Sequence, residues 1–67
     1  MIKPGDWVVL SPNYNDYEWQ KKQAHECGVR FPRKVLYQCN RTSQVYNKEL
    51  CLVGFPTKAL CKIPKQS

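Results

Sequence analysis

Several things that catalysts, membrane proteins and metal sites need are scarce in this chain. It has five acidic residues, one histidine and three glycines in 67 residues. Three of the five carboxylates, Asp16, Glu18 and Glu26, crowd one segment, so a pair set for acid–base work has little material. Gly5, Gly28 and Gly54 stand at separate turns, so no glycine-rich loop cradles a phosphate. His25 is the single imidazole, and on a helix Cys27, two positions on, leaves a different side. No nucleophile–base pair follows from that spacing. No apolar run approaches the ~20 residues of a membrane-spanning helix. The run Trp7–Leu10 is too short for the core of a secretory signal, and no small-residue cleavage site follows it. These absences point to a single domain over 1–67 that is not an enzyme, holds no cofactor, does not enter a membrane and resides in the cytoplasm.

Close cysteine pairs are also missing. Cys27, Cys39, Cys51 and Cys61 lie ten or twelve residues apart, whereas zinc sites usually present two sulfurs from one Cys-x-x-Cys turn. His25-Glu26-Cys27 is the nearest pair of soft ligands and carries little weight alone. Three readings stand: thiols that act as small apolar core residues, a disulfide framework, or a metal site. Three of the cysteines lie inside strand-like runs, which favours the first.

What is present is apolar material and positive charge. Hydrophobic residues make up 42% of the chain and eight residues are aromatic, enough to bury a thin core instead of staying disordered. The net charge of +6 is unevenly spread: three basic residues face four acidic ones before Cys27, and eight face one from Cys27 onward. A lopsided basic half raises the prospect of an anionic partner, although charge alone also serves solubility.

Read along the chain, Asp6–Ser11 is a first strand of bulky and β-branched residues, apolar on both faces, ended by Pro12. Asn13–Gly28 is a long connection with helix punctuation: Asn15 as N-cap, Glu18 three positions on, Gly28 as the residue that ends the helix. A short helix over 16–26 is expected, with Tyr17, Gln20, Lys21 and Ala24 on one stripe; an irregular loop is the alternative. Val29–Phe31, Lys34–Cys39, Gln44–Tyr46 and Glu49–Val53 have extended character, and Lys58–Ile63 is either a final short strand or a single 3₁₀ turn followed by one. Between them lie turn signals at Asn40–Ser43, a tight turn at Asn47-Lys48 and another at Gly54–Thr57. Pro64–Ser67 reads as a polar tail. About five short strands with frequent turns indicate a small antiparallel barrel or strongly bent sheet, mainly β.

The opening Lys3-Pro4-Gly5-Asp6-Trp7-Val8-Val9-Leu10 resembles the first strand of SH3-like barrels, including KOW-type modules. Glu49-Leu50-Cys51-Leu52-Val53-Gly54-Phe55-Pro56 resembles a segment of small barrel proteins of phages and bacterial mobile elements. The resemblance implies a five-stranded antiparallel SH3-like barrel with a helical or loop insert after strand 1. It also implies a phage or mobile-element origin, and then a place in the host cytoplasm.

Barrels of that kind hold partners through loops and exposed aromatics. Trp7, Tyr14, Tyr17, Trp19 and Phe55 are the candidate protein contacts, because aromatic rings anchor interfaces. Two Trp and two Tyr within residues 7–19 make that stretch dense; the same rings also fill small cores. Trp7 is expected partly in the core and Trp19, on a polar segment, exposed. Arg30, Arg33, Lys34 and Arg41 are the candidate phosphate contacts, or else charges that guard an edge strand. Three functions follow: a non-catalytic protein-binding module that modulates or inhibits its partner, a nucleic-acid-binding barrel, or a sponge for a small anion such as a nucleotide.

Overall fold

A computed structural model describes residues 1–63. Six strands form two three-stranded antiparallel sheets. The first has the order β2–β1–β6, from β1 (Trp7–Leu10), β2 (Arg33–Lys34) and β6 (Leu60–Lys62). The second has the order β3–β4–β5, from β3 (Tyr37–Cys39), β4 (Thr42–Tyr46) and β5 (Leu52–Pro56). One helix, α1 (Tyr17–Glu26), follows β1, and a 3₁₀ turn at Thr57–Ala59 joins β5 to β6. The tail expected over Pro64–Ser67 lies outside the described residues.

The expected closed five-stranded SH3-like barrel does not form; the chain makes two separate ladders. The reason lies where the chain changes sheet. The run Lys34–Cys39, read as one strand, is two. Val35, almost wholly buried, bonds to the segment before β1: its N–H donates to the Asp6 carbonyl (2.9 Å) and its carbonyl accepts from Gly5 N–H (2.7 Å). The next N–H, that of Leu36, donates to the Gln44 carbonyl of β4 (2.9 Å). The ladder therefore breaks between Lys34 and Tyr37. Pro32 offers no N–H, so β2 begins only at Arg33 and meets β1 at two positions. The second crossing is the 3₁₀ turn after Pro56, where Thr57 N–H reaches the Arg41 carbonyl and Ser11 N–H the Ala59 carbonyl.

Other boundaries differ for local reasons. Val29–Phe31 is not a strand. Gly54-Phe55-Pro56, read as a turn, continues β5, because Phe55 is a buried core residue opposite Ser43. The hairpin after β4 is not a two-residue turn. Asn47 N–H closes a wider loop onto the Cys51 carbonyl (2.9 Å), and Leu50 takes a left-handed φ of 62°.

The core gathers Val8 and Leu60 from the first sheet, Val45 and Phe55 from the second, Val35 between them, and Ala24 and Val29 from the helix and its exit. Phe31 meets Phe55 edge-to-face at 5.4 Å, the arrangement favoured by the ring quadrupoles. Beneath lies a polar chain. Gln38 Nε2 donates to the Ile2 carbonyl and to Ser43 Oγ (3.1 Å each), and Ser43 Oγ shares a hydrogen with Thr57 Oγ1 (2.7 Å). It ties the N-terminus and the 3₁₀ turn to β3 and β4. The helix spans Tyr17–Glu26, one residue short of the expectation, because Asp16 and not Asn15 stands at its N-cap and no side-chain cap bond forms; Gln20 and Ala24 are its buried line. Among the described residues no helix is long and apolar enough to cross a membrane.

Candidate protein-binding edge

In the β4–β5 ladder the hydrogen-bonded pairs are the odd-numbered ones. Thr57 N–H bonds to the Arg41 carbonyl and Asn47 N–H to the Cys51 carbonyl, and Ser43↔Phe55 and Val45↔Val53 fall between them in the same register. Antiparallel pairing alternates, so the backbone groups of Leu52, Gly54 and Pro56 point away from β4. β5 is the outer strand of its sheet. Among the described residues the N–H groups of Leu52 and Gly54 and the carbonyls of Leu52, Gly54 and Pro56 therefore stand on an open edge. Such an edge is a template for another strand.

Helix α1 runs past this edge. A groove of about 280 Å³ separates them, with Trp19, Gln23 and Cys27 on the helix side and Val53, Gly54, Phe55 and Pro56 on the strand side. No charged residue lines it. Trp19 stands at its rim, 58% exposed. Gly54 leaves room on the outer face for its β4 neighbours: a Cβ at this position would come within 2.9 Å of Gln44 Nε2 and of Thr42 Cγ2. The outer face of the same sheet continues the uncharged surface. Thr42, Gln44 and Tyr46 alternate on β4 and meet Pro56, Gly54 and Leu52 across it, with Tyr37 opposite Gln44 on the other side. Tyr37, Tyr46 and Leu52 are exposed there, as is Leu50 in the adjoining loop. In a chain of net charge +6 an uncharged sheet face beside an open edge is a local exception.

The other flank of α1 forms a second groove of about 330 Å³ against β1. Tyr17, Lys21 and His25 line it from the helix, and Val9, Leu10, Val29 and Phe31 from below. Lys21 Nζ lies 5.9 Å from the centre of the Tyr17 ring.

The aromatic residues singled out from the sequence are thereby divided. Tyr17 and Trp19 are two positions apart on a helix, so they face opposite grooves. Trp7, expected partly in the core, is half exposed on the outer face of the first sheet, in register with Lys34. Tyr14 is half-buried in the loop before the helix. Phe55 is 2% exposed, so it supplies the floor of the Trp19 groove and core packing, not a free contact surface. Only Trp19 and Phe55 come together. Tyr37, Leu52 and Gly54 are not among the residues singled out from the sequence; for Leu52 and Gly54 the alternation Leu50-x-Leu52-x-Gly54 is the visible trace.

The cations are divided as well. Arg33 and Lys34 are consecutive in β2 and leave opposite faces of the sheet. Arg33 Nε is buried and has no hydrogen-bond partner among the described residues. Arg30 is exposed before β2, and Arg41 sits in the β3–β4 turn of the other sheet. Among the described residues the one ion pair joins Lys62 to Asp6 (3.7 Å).

Three of the four cysteines are not core residues: Cys39, Cys51 and Cys61 are exposed, whereas Cys27 is partly buried and packs against the core. All four are free thiols. Alternation explains two of them. Cys39 shares the outer sheet face with Thr42, and Cys61 pairs with Val9 on the side away from Val8. Among the described residues no three His, Cys, Asp or Glu side chains gather to hold a metal. Compared with protein families, curated proteins and solved structures, the chain matches none.

Proposed function

We propose that this protein is a small non-catalytic binding module that captures an extended segment of another protein along the open edge of β5, with Trp19 closing over it. The observation that carries the reading is the juxtaposition of backbone groups at Leu52, Gly54 and Pro56, unpaired among the described residues, with an exposed tryptophan across an uncharged groove. Strand addition supplies main-chain hydrogen bonds, and pockets for alternate side chains supply choice of sequence. The groove over Val53 and Phe55 is such a pocket, and Trp19 is the residue type that most often dominates interface energy. A module of this kind modulates or inhibits its partner by occupying it.

The test is selection of peptides from a random displayed library on the intact protein, followed by N-methylation of each backbone nitrogen of the selected peptide. N-methylation at alternate positions should weaken binding at least ~10-fold, because each removes one edge hydrogen bond. Trp19→Ala should do the same while leaving the melting temperature unchanged. The Leu52 and Gly54 amides should gain protection from hydrogen exchange in the complex. Peptides that tolerate methylation throughout, or that bind Trp19→Ala as well as the parent, reject the reading.

Nucleic acid competes as an occupant on the sign of the charge alone, since Arg33 and Lys34 diverge and Arg41 belongs to the other sheet. DNA or RNA binding that is steeply salt-dependent and indifferent to Trp19→Ala would transfer the function to that class.

A further inference from the structure

We infer that the groove on the opposite flank of α1 is a binding site for a small organic monocarboxylate with an apolar body. The site is independent of the β5 edge. Tyr17, Lys21 and His25 are spaced by four residues along the helix, so they form one ridge. All three border the same groove, whose base is apolar: Val9 and Leu10 from β1, then Val29 and Phe31 from the segment leaving the helix. One wall thus offers an ammonium, an imidazole and a phenol, and the floor offers hydrocarbon.

Charge decides the ligand class. No acidic residue lines the groove, and Lys21 has no ion pair among the described residues. Its ammonium is held near the Tyr17 ring, an attraction that orients a cation without neutralising it. A carboxylate placed at Lys21 gains a charge-assisted hydrogen bond, with the His25 and Tyr17 groups as further donors. The apolar body then covers Val9 and Phe31. Size limits the body: about 330 Å³ is the small end of the range for ligand pockets. A ring or a short alkyl chain fits. A nucleotide does not suit it, because several phosphate charges would face a single lysine.

The test uses the full chain, ¹⁵N-labelled, titrated with phenylacetate and hexanoate and, separately, with the uncharged phenylacetamide and hexanamide. The acids should bind saturably and shift the amides of Val9, Leu10, Ala24 and Val29. The amides should bind at least ~10-fold more weakly, the difference a charge-assisted bond makes. Lys21→Ala should weaken the acids at least ~10-fold and Lys21→Arg should restore part of the affinity; Lys21 is exposed, so both variants retain the fold. Val9→Thr, checked by its melting curve, should weaken acid and amide alike. Absence of saturable binding, equal affinity for acid and amide, shifts mapping to other residues, or indifference to Lys21→Ala overturns the inference.

Discussion

The last turn of α1 and its first turn are held by different means. At the C-terminal end Cys27 caps the helix, and Gly28 takes a left-handed φ of 76°. Val29 N–H returns to the Ala24 carbonyl (2.8 Å) and Gly28 N–H to the His25 carbonyl (3.2 Å). This is the paired closure that satisfies the orphan carbonyls of a helix end. The exit is then stitched to the β4–β5 loop. Lys48 N–H donates to the Gly28 carbonyl (3.0 Å), and Asn47 Nδ2 donates to the Cys27 carbonyl (2.9 Å). The same Asn47 side chain accepts from Glu49 N–H and Cys51 N–H through Oδ1. At the N-terminal end Asp16 makes no side-chain cap bond, and its φ of −104° and ψ of 30° lie outside the extended conformation a cap adopts. Tyr17 and Trp19, one aromatic for each groove, stand on that less fastened first turn. The difference teaches that the fold is secured at one end of the helix while the rings that would meet a ligand are carried by the other.

The largest test of that contrast is Asn47→Ala. It removes three hydrogen bonds at a buried side chain. At ~1 kcal/mol each the cost is about 3 kcal/mol, against the ~3–5 kcal/mol that a core of this size supplies. The melting temperature followed by circular dichroism should fall by roughly 15 °C. Asn47→Asp keeps the acceptor for the loop and loses the donor to Cys27, so it separates the share of the hairpin from that of the helix. A fall of a degree or two in Asn47→Ala would show that the helix exit is not where stability resides.

Gly28→Ala is the next in size. A Cβ meets the Lys48 side chain at 3.4 Å, which that flexible chain can accommodate. The cost is therefore conformational, about 1–2 kcal/mol for a left-handed alanine. Thermal melting should drop by roughly 5–10 °C, and Gly28→Asn, which tolerates that conformation better, should lose less. Equal losses for alanine and asparagine would point to crowding by Lys48 instead of backbone conformation.

The same contrast separates what was legible in the sequence from what was not. Gly28 announced the helix end because a left-handed closure is a local demand that glycine meets without a partner. The first strand was legible from Trp7–Leu10 for a similar reason: its residues suit a pleat wherever it pairs. The break at Val35–Leu36 was not legible, since it depends on Asp6 and Gln44, distant in the chain, claiming successive N–H groups. Phe55 read as part of a turn between Gly54 and Pro56, and the pairing with Ser43 overrode that local signal. Cys39 and Cys61 looked like core residues because their runs are strand-like, but a strand has two faces and register chooses between them. The open edge of β5 was the least visible feature, because an edge is defined by the strand that is missing beside it.

The smallest expected effect is the sharpest test of the first turn. Truncating an ordinary capping side chain costs ~0.5–2 kcal/mol. Asp16 makes no such bond, so Asp16→Ala loses only the favourable placement of a carboxylate near the positive helix start, below ~0.5 kcal/mol for an exposed group in salt. The melting curve should be displaced by no more than a degree or two, and that small displacement should vanish as salt is raised, since an exposed charge–dipole attraction is screened. A loss above ~1 kcal/mol that survives high salt is the signature of a formed cap. It would mean that Asp16 fastens the first turn as Asn47 fastens the exit, and that Trp19 is held as firmly as the core beneath it.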